Sequence, residues 1–187
     1  MVQDSPATRA RILAAAVEEF SAHGLAGARI DRIAEAAVAN KSSIYVYFGN
    51  KEKLFAAAMD RVIGDLSDAV PLTEHDLPNY AGRMFDYVVD HPEALRMSMW
   101  RHLERPSAGP VVTELYERKL EAMASEAHPS GLPPMDLLVL VVGLSGAWLT
   151  SSRDLLAAEG GDPYSAERLA THRAAMVEAA RRVVDGV

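Results

Sequence analysis

Lys41, Ser42, Ser43, Tyr45 and Tyr47 bring an ammonium, two hydroxyls and two phenols into one run of seven residues. Such groups suit the acceptors of base edges and the oxygens of phosphates. Ile44 and Phe48 stand four apart and share one face, so the run reads as a short helix with an apolar inner side and a polar outer one. The plain alternative is a helical cap whose polar face is merely solvated.

Elsewhere the residues that could do chemistry are scattered. His75, His91, His102, His128 and His172 form no His-x-x-x-His pair, and no Gly-x-Ser-x-Gly or phosphate-binding glycine loop occurs. His102 beside Glu104 reads as a surface pair, and no metal or cofactor is expected. A hydrolase using His102 with Asp86 or Glu104 is the competing function. The chain has no cysteine, which excludes disulfide scaffolds, thiolate zinc, iron–sulfur ligation and a Cys nucleophile.

The elements that must position the run at 41–47 are all helical. Ala10, Leu13, Val17 and Phe20 recur at helical spacing over Ala7–His23, and Gly24 supplies a left-handed stop. Ile30–Ala37 repeats the period, Asn40 caps Lys41–Tyr47, and Asn50 caps a longer helix from Lys51 to about Leu66. Further helices are expected at about Leu77–Asp90, Glu93–Glu104, Val111–Ala127, Met135–Ala158 and Ser165–Val184. Proline and glycine clusters separate them, the strongest at His128–Pro134. Three short helices in about 30 residues, joined at Val38–Asn40, have helix-turn-helix spacing, in which one helix braces a second in the major groove. The fold class is all-α.

With 187 residues, 49% of them hydrophobic and 24% charged, the chain has the composition of a globular protein. Its longest uncharged stretch, Leu137–Ser152, is 16 residues, short of the ~20 a spanning helix needs, and Glu18-Glu19 closes the brief apolar run near the N-terminus. A soluble, cytoplasmic protein without a membrane partner is expected. The net charge of −7 is uneven: residues 1–55 carry +1 and the remainder −8. A near-neutral head can present the local basic face that phosphate contact needs.

The residues themselves narrow the function. Ile33-Ala34-Glu35-Ala36-Ala37, then Asn40 to Phe48, then Gly49-Asn50-Lys51-Glu52-Lys53-Leu54-Phe55 resemble the DNA-binding domain of the TetR (tetracycline-repressor-like) family. The match covers roughly residues 7–58 and includes Phe20, Gly24 and Ile30-Asp31-Arg32 upstream. The resemblance implies a helical homodimer whose N-terminal helix-turn-helix domain, residues 1–55, binds double-stranded operator DNA. It implies that residues 56–187 form a helical domain for dimerisation and a small-molecule effector. The expected function is a ligand-responsive, sequence-specific regulator, a repressor released from a palindromic operator by a small apolar effector; no enzyme activity is expected. Carried over by position, Lys41, Ser42, Ser43 and Tyr45 touch bases, and Tyr47 and Lys51 grip the backbone.

Three departures from the family pattern bear on the operator. The usual Gly-Val of the turn is Val38-Ala39, so the turn must form without its glycine. The usual capping Thr is replaced by Ala28-Arg29, and Arg29 can reach phosphate or a groove edge. Between the two tyrosines stands Val46, which can read only a thymine methyl.

In the C-terminal region, Met135–Ala158 is apolar all round and Ser165–Val184 less so, which suggests burial on more than one side. Leu137, Val141, Leu144, Leu169, Met176 and Ala180 are the expected dimer-interface residues. Between them and the N-terminal helices the apolar positions are rich in Met and aromatics. Met84, Tyr87, Met97, Trp100, Tyr116, Met123 and Trp148 are expected to line an apolar effector pocket, since methionine adapts to irregular ligands.

Overall fold

The computed structural model describes residues 6–72, 76–104, 110–124 and 128–187. Ten helices lie in this part of the chain: α1 (Pro6–Gly27), α2 (Ile30–Ala36), α3 (Lys41–Phe48), α4 (Lys51–Ala69), α5 (Leu77–Asp90), α6 (Pro92–Glu104), α7 (Pro110–Ala124), α8 (Pro134–Thr150), α9 (Arg153–Ala157) and α10 (Ala166–Asp185). No strand occurs among the described residues. His75 and the segments 105–109 and 125–127, part of the expected connection before α7 and of its end, lie outside them.

Two compact units divide these helices. The first holds α1 to α3, α4 through Asp68, and α6; the second holds α5, most of α7, and α8 to α10. Position 55/56, the expected domain boundary, falls inside α4.

The first unit packs around Ile12, Ala16, Phe20, Ile33, Ile44, Leu54 and Phe55, all nearly or fully buried. Phe20, Ile33 and Ile44 are inner positions expected from the helical period, and Leu13 and Val17 are buried with them, whereas Ala10 is exposed because the buried stripe of α1 runs through Ile12 and Ala16 instead. Phe20 meets Phe55 edge-on with ring centroids 5.1 Å apart, a favoured aromatic geometry. The left-handed stop falls at Gly24, with φ +67°, and the chain makes one more helical turn before Gly27. Glycine is required there for a second reason: a Cβ would lie 2.7 Å from the Trp100 ring on α6 and 2.8 Å from the Glu104 carboxylate.

In the second unit α5 packs on both α8 and α10. Gly82 lets α10 approach: a Cβ there would stand 3.0 Å from both Arg173 and Val177. The expected single helix Met135–Ala158 is two. Ser151 turns to an extended conformation, and the Ser152 hydroxyl accepts the Leu155 amide to start α9. Serine side chains compete for backbone groups and so favour such breaks.

Four of the six expected interface residues, Leu137, Val141, Met176 and Ala180, are buried within the single chain. They belong to its own core and cannot meet a partner; Leu144 and Leu169 are half-buried. The outward face of α8 is the opposite one, with Met135, Val139 and Leu140 exposed. A helix apolar on every side carries no mark of which side its own core will take.

Candidate nucleic-acid interface

Helix α3 is held from both ends. At its start Asn40 Oδ1 accepts the Ser43 amide at 2.8 Å, the Ser43 hydroxyl at 2.9 Å and the Ser42 hydroxyl at 2.6 Å. This is the N-cap read from the sequence, reinforced by two hydroxyls. At its end the Gly49 amide donates to Tyr45 O, and Asn50 Oδ1 then caps α4 through the Lys53 amide. Ile44 and Phe48 anchor the inner side, and the Arg9 guanidinium lies over the Phe48 ring at 5.1 Å.

Those constraints decide what points outward. Lys41, Ser42, Tyr45 and Val46 are exposed on α3, and Tyr47 is half-buried. Ser43 is not on the outer face: it is 3% exposed and its hydroxyl is committed to Asn40. Its expected base contact is therefore replaced by a capping role, because position 43 shares the inner side with Ile44. Lys51 sits at the start of α4, half-buried, with its ammonium donating to Ala26 O at 3.2 Å.

The turn between α2 and α3 forms as its missing glycine requires. Val38 takes φ +50°, the left-handed region, and is 83% exposed. The Ala39 amide donates to Ala34 O, and Arg11 Nε on α1 donates to Ala37 O at 3.1 Å. Exposure of the side chain avoids a clash, while the β-branched backbone keeps its conformational strain.

Two carboxylates missed by the sequence reading organise the basic groups here. Glu19 accepts the Arg29 amide at 2.8 Å and the Arg32 guanidinium at 2.6–3.0 Å. Arg29, extended just before α2, keeps its side chain exposed. Burial pushes the Glu19 carboxyl up, but hydrogen bonds from Arg32 and Arg29 and the Arg32 charge outweigh it, leaving the pKa below the ordinary carboxylate value. Asp31 on α2 pairs with Lys41 on α3, and the hydrogen bond from that ammonium lowers the Asp31 pKa. Neither carboxylate stands at helical spacing from its cation, so no local pattern marks the pairs.

Helix α6 is also part of this unit. Trp100 Nε1 donates to Ser21 O at 3.1 Å, and the Glu104 carboxylate accepts the Leu25 amide at 2.6 Å and the Ala26 amide at 3.3 Å. Trp100 and the fully buried Met97 thus serve the packing of the first unit, which corrects their place in the expected effector pocket. Met84, Tyr87, Tyr116, Met123 and Trp148 lie in the second unit, Met84 and Met123 buried and Tyr116 exposed. Glu104 is held by α1, Asp86 by Arg173 at 2.7 Å, and His102 is exposed, so nothing assembles them as a hydrolase site. Among the described residues no cluster of metal ligands occurs, and no helix is long and apolar enough to cross a membrane.

A braced short helix with an outward row of lysine, hydroxyl and phenol groups is the DNA-reading half of a helix-turn-helix, and an all-α chain built on it is a DNA-binding regulator. Residues 12–58 match the family model of bacterial regulatory proteins of the tetR family, and residues 76–182 match that of the tetracyclin repressor-like C-terminal domain. The chain belongs to the TetR family, a family of transcriptional regulators and not of enzymes. It is 38% identical over 191 residues to the HTH-type transcriptional repressor SCO4008 of Streptomyces coelicolor, covering 98% of each chain. It is 40% identical over 98 residues to the HTH-type transcriptional repressor NicS of Pseudomonas putida, covering 49% of this chain and 46% of that one. The crystal structure of the transcriptional regulator SCO4942 from Streptomyces coelicolor superposes with a TM-score of 0.80 at 35% identity, covering 94% of this chain and 97% of that chain.

Proposed function

We propose that the chain represses transcription by binding an approximately palindromic operator as a homodimer, and that a small, mostly apolar effector releases it. The observation that carries this is the outer face of α3, where Lys41, Ser42, Tyr45 and Val46 stand exposed on a helix fixed by Asn40, Ile44 and Phe48. A rigid reading helix is what base recognition needs, because each contact is lost if the register slips. Arg29, Tyr47 and Lys51 are assigned to the phosphate backbone. Membership of the family and similarity to two HTH-type transcriptional repressors, SCO4008 and NicS, support the sign of regulation. DNA contact is assigned to residues 1–55, effector and partner contact to 56–187, and the protein to the cytoplasm, where its operator is.

The partner is a second copy seated on the exposed side of α8. Met135, Val139 and Leu140 form an apolar stripe there, and Gly143 and Ala147 continue it with no bulk to hold a partner helix away. A symmetric dimer presents two equivalent reading helices, which is why the operator should be a near-palindrome. The effector is assigned to the second unit, where Met84, Tyr87, Tyr116, Met123 and Trp148 lie.

Selection of bound fragments from genomic DNA tests the function. Recovery of a few sites sharing a near-palindrome, with affinity falling steeply with salt, is the expected result. Equal recovery of all fragments would refute sequence-specific repression.

A further inference from the structure

The end of α8, the short α9 and the first half of α10 line an open cleft of about 280 Å³ in the second unit, with Leu155 and Ala147 at its exposed rim. Its apolar wall is Ala147, Trp148, Leu155 and Leu156; its polar groups are Ser151, Glu159, Arg168 and His172. The volume is at the small end for ligand sites.

Most of the polar capacity is already used. The Ser151 hydroxyl donates to Ala147 O at 2.8 Å, and Trp148 Nε1 donates to Pro163 O at 3.1 Å. Two polar groups remain. The Arg168 guanidinium stacks on the Trp148 ring at 4.1 Å and, among the described residues, forms an ion pair with the exposed Glu159, 3.1 Å from Nη2. Arginine has five N–H donors in a planar fork, so that pair leaves most of them for another oxygen. The His172 ring lies 4.6 Å from Trp148, and its Nε2 is buried without a hydrogen-bond partner.

We infer that this cleft binds a small, flat monocarboxylic acid, with its carboxylate between Arg168 and His172 and its apolar body against Trp148, Leu155 and Leu156. This rests on the ligand-responsive function proposed above, for which it supplies a ligand class. Burial, and then the Arg168 charge, lower the His172 pKa, so the ring is uncharged at neutral pH and adds no second positive charge to the cleft. One guanidinium with one neutral imidazole matches a monoanion; a dianion such as phosphate would need a second cation. The acid displaces Glu159, whose pairing with Arg168 is exposed and screened.

Benzoate is the probe, with benzamide as its neutral isostere, and the indole N–H resonances of the full-length protein are the readout. Trp148 borders the cleft, whereas Trp100, bonded to Ser21 in the first unit, serves as the control. The Trp148 resonance should shift on adding benzoate while that of Trp100 does not. Arg168→Gln and His172→Phe should each weaken binding about tenfold, and benzamide should bind about tenfold more weakly than benzoate. Glu159→Gln should tighten binding about threefold, since it removes the competing carboxylate. A purely structural role for Glu159 would not do so. No Trp148 shift at about 10 mM benzoate, equal binding of benzamide, or unchanged affinity in both Arg168→Gln and Glu159→Gln would overturn the assignment. Binding at Trp148 is read without DNA, so an acid that binds there and leaves operator affinity unchanged counts against effector release and not against the site.

Discussion

Asp31 on α2 and Lys41 on α3 form an ion pair across the helix-turn-helix bend, on the face proposed to read DNA. The carboxylate holds the ammonium of the first basic group on α3, and under the proposed DNA contact it would itself oppose the phosphates. Both side chains are about half-exposed, so the pair adds little stability. Its effect is on where Lys41 points.

Asp31→Asn should raise affinity for non-specific DNA about fivefold at low salt, the ~1 kcal/mol that one unscreened charge is worth near a polyanion. Discrimination between operator and non-specific DNA should fall, because Lys41 loses its fixed direction. Fluorescence anisotropy with operator and scrambled duplexes measures both. Lys41→Ala and Tyr45→Ala should instead weaken operator binding by about 1–3 kcal/mol each with helicity unchanged. Ser43→Ala should act on stability, through the Asn40 cap.

Val38→Gly should stabilise the protein by about 1 kcal/mol, because Val38 sits at φ +50° with a β-branched side chain facing solvent. The gain is visible as a rise in melting temperature of about 2–4 °C. Gly24→Ala should do the reverse and cost more, since it combines φ +67° with a Cβ pressed on Trp100 and Glu104.

Glu19 makes stability depend on pH in the acid range. Its pKa in the folded chain lies below the ordinary 4.5, so the folded state favours the ionised form. Its contribution is complete above pH 4.5 and is lost as the pH falls through the folded-state value. Glu19→Gln should lower the urea midpoint at neutral pH and flatten its decline below pH 4.5. A variant whose acid limb matches that of the wild type would contradict this.

Val139→Glu and Val141→Glu lie two residues apart on α8 and should fail differently. Val139 is 60% exposed, so a charge there should shift sedimentation toward a folded monomer of about half the mass. Val141 is fully buried, and an unpaired carboxylate there should unfold the chain, since that burial costs several kcal/mol. If both variants unfolded, or both stayed dimeric, the outward face of α8 would not be the interface.

The helices and the reading element were legible in the sequence because their determinants are local. Helical spacing of Ile33, Ile44 and Phe48, the caps at Asn40 and Asn50, and the stop at Gly24 act over a few residues, so the string alone determined an all-α chain with a helix-turn-helix near its start. Faces and partners were decided only by the tertiary structure. Ser43 turned inward because α3 is rotated by the burial of Ile44. Leu137 and Val141 took the inner side of α8 because α5 and α10 cover that side, a choice an all-apolar helix leaves open. Trp100 and Glu104 reached Ser21, Leu25 and Ala26 across nearly 80 residues of sequence. The cleft beside Trp148 depends on α8 ending at Ser151, which brings α9 and Glu159 to Arg168 and His172. Such pairings depend on how helices pack, and packing answers to shape and volume over the whole chain rather than to any pattern along it.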